Sequence, residues 1–149
     1  MPHDFYISTD KKHLNIDLIV DFLQHKSYWA KTRSRETIEK SIRHSLCFGL
    51  FNSEKNQVGF ARVISDFAVF AWVLDVFILK DYRGKGLGKL LLQEITAHPD
   101  LQGLKRWGLA TKDAHALYQQ FGFSALANPD ILMEKLEFSP QSVDDNLLL

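Results

Sequence analysis

An apolar segment that leads through a glycine-rich turn into an amphipathic pattern constrains this chain most. Residues 73–79 form a nearly continuous apolar run of strand length, and residues 83–88 contain three glycines. Large apolar residues then follow at helical spacing, namely Leu87, Leu90, Leu91 and Ile95. A strand, turn and helix in this order place free backbone N–H groups and the positive end of a helix dipole at one point. We therefore predict an anion site there, to which Arg83, Lys85 and Lys89 add positive charge.

Two common phosphate-binding motifs do not fit this turn. A P-loop requires glycine where Arg83 stands and serine or threonine where Leu90 stands. The dinucleotide fingerprint G-x-G-x-x-G fails in both possible registers, because Lys89 or Leu91 occupies the position of its last glycine. The anion site is therefore neither a P-loop nor a dinucleotide fingerprint.

Charge and length limit the kind of partner. The 149 residues include 18 Lys plus Arg and 18 Asp plus Glu, so the formal net charge is zero. A nucleic-acid binder usually carries a basic excess, so we expect no nucleic-acid partner. The length indicates a single domain that can bury a sizeable core.

The cellular setting is inferred from cysteine usage and from the apolar segments. Cys47 is the only cysteine, which excludes an intrachain disulfide and favours a reducing compartment. The N-terminal residues lack a signal-peptide pattern. The most apolar stretch, residues 67–79, has 13 residues and includes Asp75, whereas a membrane span needs roughly 20. We expect a cytoplasmic protein with no membrane partner.

Periodicity and capping residues predict an α/β domain of the α+β type, with a mixed, mostly antiparallel sheet and helices on both faces. Asn15 caps a helix that runs to about Lys26, and Ser34 caps a second helix. Asp113 caps or opens a fourth helix after the one behind the glycine-rich turn. The predicted strands are residues 5–8, 47–51, 58–64, 71–79 and 106–110, and residues 131–136 close the sheet. We expect the domain to span residues 1–138. Residues 139–149 then form a tail that is either mobile or docked on a partner or a second subunit.

Two motifs together resemble one known family. The pattern R-x-x-G-x-G of residues 83–88 is similar to the pyrophosphate-binding signature of the GNAT superfamily of N-acetyltransferases. Residues 114–123, AHALYQQFGF, resemble that family's A-x-x-L-Y-x-x-x-G-F segment, and the interval between the motifs also fits. The resemblance implies a GNAT-like sheet that splays between the cofactor strand and the strand after it.

The resemblance implies transfer of the acetyl group of acetyl-CoA to an amine, by direct attack on the thioester in a ternary complex. The backbone of Phe77 and Leu79 would then pair with pantetheine, and the glycine-rich turn would hold the pyrophosphate. Thr111 stands where many family members have Asn, so a cofactor contact from that side chain is not implied. The expected cofactor-binding residues are Phe77, Ile78, Leu79, Arg83, Gly84, Lys85, Gly86, Leu87, Gly88 and Lys89.

Two residues are the candidates for catalysis. By family position, Tyr118 is the acid that protonates the departing thiolate, although its spacing alone also fits a core tyrosine. Asp75 interrupts an apolar strand, where it is either a base for the acceptor ammonium or the partner of a structural arginine such as Arg62. Asp66 is a weaker alternative to Asp75 as the base.

In the fold that the resemblance implies, the acceptor pocket is built from the first helix pair and the middle strands. The expected substrate-binding residues are therefore Tyr28, Trp29, Arg33 and Arg62, together with Asp75. Aromatic rings with a carboxylate suit a cationic amine, whereas arginines suit an acceptor that carries a carboxylate or phosphate. The residue types leave both open. We expect a small-molecule amine, and less readily a protein amine, as the acceptor.

The remaining expectations concern metals, covalent catalysis and assembly. The six histidines form no ligand pattern, so we expect no metal. Cys47 is expected to pack in a strand, and no local arrangement supports an acyl-cysteine route. The chain is expected to be a monomer or a homodimer. The competing function is a non-catalytic acyl-CoA-binding regulatory module that keeps the turn and has lost turnover.

Overall fold

The computed structural model describes residues 4–137, which form a five-stranded sheet with the order β1-β2-β3-β4-β5. The first four strands are consecutive antiparallel neighbours, and the last strand runs parallel to β4. The strands are β1 (Phe5–Ser8), β2 (Leu46–Asn52), β3 (Gln57–Ser65), β4 (Phe70–Ile78) and β5 (Arg106–Leu109). The predicted mixed, mostly antiparallel sheet is confirmed.

The four helices begin close to the predicted positions. They are α1 (Ile16–His25), α2 (Arg35–Arg43), α3 (Leu87–Ala97) and α4 (His115–Gln119). The Asn15 side chain accepts from the Leu18 N–H at the start of α1, and the Ser34 side chain accepts from the Thr37 N–H at the start of α2. Both predicted caps are thus confirmed, since each side chain satisfies a donor that the helix leaves free. Among the helices of residues 4–137, none has the length and apolar character that crossing a membrane requires.

Apolar side chains on both faces of the sheet form the core. On one face, Phe22 of α1 stacks on Phe77 of β4 with ring centroids 3.9 Å apart. On the other face, Leu91 and Ile95 of α3 pack in a cluster that includes Ala61 of β3. Helices therefore cover both faces of the sheet, as the sequence predicts.

A β-bulge in β4 opens the sheet next to β5. Arg62 pairs with Leu74 and Phe60 pairs with Phe77, so Asp75 and Val76 both lie opposite Ala61 of β3. Asp75 has a positive φ of 54°, a backbone conformation that residues other than glycine rarely adopt. On the other edge of β4, pairing with β5 ends at Val73, although β4 continues to Ile78. Beyond Val73 this edge of β4 has no neighbouring strand in the described part of the chain.

Two predicted elements differ from the structure. The prediction of a last strand at 131–136 is wrong, because a 3₁₀ turn occupies Pro129–Ile131 and residues 132–137 belong to no strand. Pro129 lacks the N–H that a strand donates to its neighbour. Successive side chains of a strand face opposite sides of the sheet, so the three consecutive apolar residues 131–133 lack the apolar–polar alternation of a half-exposed strand. Met133 is 96% exposed. The predicted tail, residues 139–149, lies outside the described residues.

The predicted cap at Asp113 is also wrong. Helix α4 begins at His115, and no side chain caps its Ala114 N-cap position. The Thr111 hydroxyl accepts from the Ala114 N–H at 3.1 Å instead, so it stabilises the turn into the helix. Asp113 is therefore left in the loop between β5 and α4.

Candidate active site

The glycine-rich turn ends at the N-terminus of α3. Gly84 and Gly86 have φ angles of 78° and 77°, and Gly86 is the N-cap residue, with no side chain capping the helix. The first N–H groups of α3 are therefore available to a ligand. A Cβ atom built on Gly84 or Gly86 would meet nothing within 4 Å, so the space beside the turn is open. Arg83 holds the turn to the end of β4, since its Nε donates to the Ile78 carbonyl at 3.0 Å.

The peptide groups at the open edge of β4 differ from those expected. The Leu79 N–H donates to the Val58 carbonyl at 2.8 Å, and the Leu79 carbonyl accepts from the Tyr82 N–H at 2.9 Å. Because peptide groups alternate in direction along a strand, those of Phe77 also face β3, with which Phe77 pairs. The groups that face the open edge belong to Val76 and Ile78. The expectation that the backbone of Phe77 and Leu79 is free to pair with pantetheine is therefore wrong, and the groups left open at this edge are those of Val76 and the Ile78 N–H.

A cavity of about 90 Å³ lies where β4 and β5 separate. Its wall combines the open edge of β4, the loop before α2, the loop after β5, and helix α4. The lining residues are Tyr28, Trp29, Val73, Leu74, Asp75, Val76, Ala110, Thr111, Asp113, Ala114 and Tyr118. The structure thus brings both predicted catalytic residues and two of the four predicted substrate-binding residues to one cavity.

Tyr118 lies on α4 and is 8% exposed. Its ring packs edge-to-face on Phe123 with centroids 5.9 Å apart. The hydroxyl has no hydrogen-bond partner among residues 4–137, which is unusual for a buried tyrosine. Burial, with smaller contributions from the nearby Tyr28 and Asp113, raises the pKa of Tyr118 to about 12. The side chain is therefore a protonated donor throughout the neutral range.

Asp75 is enclosed by cationic and polar donors. Arg33 donates from one terminal nitrogen to both carboxylate oxygens at 2.9 Å, and Arg62 Nε donates to Oδ2 at 3.0 Å. Trp29 Nε1 donates to Oδ1 at 2.8 Å. Burial by itself would raise the pKa of Asp75, but the charges of both arginines and these hydrogen bonds outweigh it and hold the pKa below its usual value. These contacts favour the structural role of Asp75 over the role of a base.

The predicted substrate-binding residues separate into two pairs. Tyr28 and Trp29 line the cavity, with their rings 5.0 Å apart in an edge-to-face arrangement. The Tyr28 hydroxyl accepts from the Lys112 N–H at 3.1 Å, which ties the loop before α2 to the loop after β5. Arg33 and Arg62 do not line the cavity. Both bind Asp75.

Two other acidic or nucleophilic candidates lie elsewhere. Asp66 accepts from the backbone N–H groups of Ala68, Val69 and Phe70, so it shapes the turn before β4, at the opposite end of that strand from residues 76–78. Cys47 packs in β2 as expected and is 1% exposed. Burial raises the pKa of the Cys47 thiol to about 11, so the reactive thiolate is scarce at neutral pH.

Sequence reasoning missed Val76 and Asp113 as site residues. The bulge at Asp75 determines which peptide groups of β4 face the open edge, and no residue type in the sequence indicates that bulge. Asp113 is exposed in the loop after β5 and lines the cavity beside Tyr118. Its position directly before the 114–123 segment is the signal that could have identified it.

Comparisons with known proteins agree with this architecture. The family model described as an acetyltransferase (GNAT) domain matches residues 44–125. A protein of Gibberella zeae named as an acetyltransferase is 32% identical over 136 residues, which cover 77% of this chain and 76% of the relative.

Solved structures show the same similarity. A GNAT-family acetyltransferase from Xanthomonas campestris pv. campestris superposes with a TM-score of 0.88 at 48% identity, covering 91% of this chain and 94% of the other. The glucosamine-6-phosphate N-acetyltransferase of Arabidopsis thaliana, at 17% identity and a TM-score of 0.61 over 90% of this chain and 99% of the other, shares the fold. The chain therefore belongs to the GNAT family of acetyltransferases.

Proposed function

We propose that this acetyltransferase moves the acetyl group of acetyl-CoA to the primary amine of a small molecule by direct attack in a ternary complex. One observation carries the proposal. The separation of β4 from β5 brings the free peptide groups of Val76 and the buried Tyr118 side chain to the same cavity. A strand edge that can pair with an extended ligand thus lies next to a proton donor.

The residues around the turn fit the pantetheine arm and the pyrophosphate of acetyl-CoA. The peptide groups of Val76 and the Ile78 N–H are suited to pair with the pantetheine arm as an added strand, while the Ile78 carbonyl already accepts from Arg83 Nε. The N–H groups of the turn and of the first turn of α3, residues 84–89, are suited to the pyrophosphate. The exposed side chains of Arg83, Lys85 and Lys89 place positive charge around the same point.

We assign Tyr118 the role of general acid. When the amine nitrogen bonds to the acetyl carbon and the carbon–sulfur bond breaks, Tyr118 gives its proton to the departing sulfur. The proton that the nitrogen loses on becoming an amide passes through water to the Tyr118 phenolate and restores its hydroxyl. Transfer from a group with a pKa of about 12 to a thiol near 8.5 is uphill by roughly 3.5 units, or about 5 kcal/mol. A turnover of about 10 per second corresponds to a barrier of about 16 kcal/mol, so this cost fits within it.

The acceptor must lose a proton before it attacks, because an alkyl ammonium has a pKa of about 10.4. From the sequence, Asp75 is either the base for this proton or the partner of a structural arginine. Its carboxylate already accepts hydrogen bonds from Trp29, Arg33 and Arg62, which leaves it weakly basic. We therefore propose that Asp75 positions the cavity wall and that water at the cavity takes the proton from the ammonium.

Direct attack is preferred to an acetyl-cysteine route. Cys47 does not line the cavity, and its thiol is buried in the sheet. No step of the proposed reaction requires it.

We further place the protein in the cytoplasm, since a reducing compartment keeps a single thiol free.

The test follows thiol release from acetyl-CoA over a panel of primary amines, with wild type compared with Tyr118→Phe. We expect release that depends on the amine, an acetylated amine as the product, and a kcat that falls in the variant. Tight acetyl-CoA binding without thiol release across the panel would contradict amine transfer and would support the non-catalytic binding module.

A further inference from the structure

The cavity contains one carboxylate that has no partner among residues 4–137. Asp113 is exposed and lines the cavity together with Tyr28 and Tyr118. Its carboxylate makes no hydrogen bond or ion pair with another residue of the described range. Asp75, the other carboxylate at the cavity, is neutralised by two arginines. Asp113 is therefore the acidic group that remains available to a ligand.

The surrounding groups favour a cation over an anion at this point. Arg33 and Arg62, which would suit a carboxylate or phosphate on the acceptor, are held by Asp75 and do not line the cavity. The aromatic rings of Tyr28 and Trp29 line it instead, and such rings attract cations. The residue before Asp113 is Lys112, whose ammonium lies over the Tyr28 ring at 5.4 Å from the centroid. Lys112 is not among the residues that line the cavity.

Asp113 and Tyr118 differ in how deeply they are buried, and this difference gives them different roles. Tyr118 is buried, while Asp113 is exposed at the start of the loop into α4. The reacting nitrogen must reach the acetyl group near Tyr118 and the open edge of β4. A group held by Asp113 is therefore a part of the acceptor that lies away from the reacting nitrogen.

We propose that Asp113 binds a second positive charge of the acceptor, so that the substrates are small diamines or other amines with a cationic tail. This inference rests on the proposed function and specifies its substrate class. Asp113 is a specificity-determining residue, and an acceptor that carries a carboxylate at the same distance is repelled. The choice between cationic and anionic acceptors, which the sequence leaves open, is thereby decided.

The test measures binding separately from turnover. The CoA-saturated protein is titrated calorimetrically with butane-1,4-diamine, with butylamine and with 4-aminobutanoate. We expect wild type to bind the diamine most tightly and 4-aminobutanoate most weakly. Asp113→Asn should weaken diamine binding about tenfold, as expected for losing one charge-assisted contact at an exposed position, and leave butylamine binding within about twofold. The matched control is Asp100→Asn, which removes the same charge from an exposed residue outside the cavity lining and should change none of the three affinities.

Two outcomes overturn the inference. One is equal affinity of wild type for the three compounds, and the other is diamine binding that Asp113→Asn leaves unchanged. Thiol release from acetyl-CoA in a parallel assay separates this failure from failure of the proposed function. Release without any preference for the diamine contradicts the role of Asp113 alone. Diamine binding that depends on Asp113, without thiol release for any amine, contradicts amine transfer and supports the cation site.

Discussion

Arg62 of β3 donates from Nε to Oδ2 of Asp75 on β4 at 3.0 Å, at the position where the register between the two strands shifts. Arg33, from the loop before α2, binds the same carboxylate at 2.9 Å. Asp75 thereby joins two strands and a loop while its own backbone has a φ of 54°. A residue other than glycine at such a φ carries a conformational strain of order 1–3 kcal/mol, so the surrounding contacts must hold the bulge in place. The bulge and the cavity beside it therefore depend on this carboxylate.

Asp75→Asn is expected to lower the free energy of unfolding by about 3 kcal/mol, because it leaves two arginines without their counter-charge, one of them with a side chain only 7% exposed. Urea unfolding measures this change. Asp100→Asn, which removes an exposed carboxylate, should change the free energy of unfolding by less than about 0.5 kcal/mol. Equal stability of the two variants would contradict the structural role of Asp75.

The same variant has a predicted dependence on pH. The pKa of Asp75 is lower in the folded protein than in the unfolded chain, where it is about 3.9. Its contribution to stability is therefore fully present above the unfolded-state pKa and is lost as the pH falls through the folded-state pKa. The difference in unfolding free energy between wild type and Asp75→Asn should stay constant from about pH 6 to 8 and shrink below about pH 4. A difference that changes between pH 6 and 8 would instead indicate a carboxyl that titrates there, as a general base would.

Gly86→Val is expected to abolish the thermal stabilisation that acetyl-CoA gives, because a side chain would enter the open space beside the first N–H groups of α3. Gly103→Val is the matched control. Gly103 has a φ of 75°, close to the 77° of Gly86, and its Cβ would also meet nothing within 4 Å. Both variants should lose similar intrinsic stability, since each forces valine into the left-handed region. Only Gly86→Val should lose the shift in Tm, and an unchanged shift would contradict the pyrophosphate assignment.

Tyr118→Phe is expected to lower kcat about 100-fold while leaving the Kd for acetyl-CoA and the unfolding free energy nearly unchanged. The hydroxyl that is removed has no hydrogen-bond partner in the described part of the chain. Tyr28→Phe removes a hydroxyl that accepts from the Lys112 N–H, so it should affect stability more than Tyr118→Phe does. Because the pKa of Tyr118 is about 12, the kcat of wild type should show no alkaline loss up to about pH 10. A decline of kcat between pH 8 and 9 would point to a different acid.

Local signals in the sequence predicted most of the fold. Asn15 and Ser34 were recognised because a capping side chain satisfies backbone donors within its own helix turn. The glycine-rich turn is visible in the sequence as three glycines between an apolar strand and an apolar helix, and in the structure Gly84 and Gly86 have the positive φ angles that favour residues without a Cβ. Both kinds of signal involve residues that are close in sequence. The strand at 131–136 was predicted from apolar content alone, and the structure does not contain it.

The site required contacts between distant residues. Trp29 and Arg33 lie more than 40 positions before Asp75, and no local pattern reveals that they bind it. The positive φ of Asp75 sets which peptide groups of β4 face the cavity, so the sequence suggested Leu79 where the structure presents Val76. The residue type of Asp113 suits a helix cap or a first helical residue, whereas α4 begins at His115. Its place in the cavity follows from how the loop after β5 crosses the open edge.

A crystal structure with acetyl-CoA bound tests the central claim most directly. We predict that the pantetheine arm pairs with the backbone of Val76 and with the Ile78 N–H, and that the pyrophosphate accepts from N–H groups of residues 84–89. The Tyr118 hydroxyl should lie within hydrogen-bond reach of the thioester sulfur. A cofactor bound away from the gap between β4 and β5, or a thioester out of reach of Tyr118, would contradict this assignment.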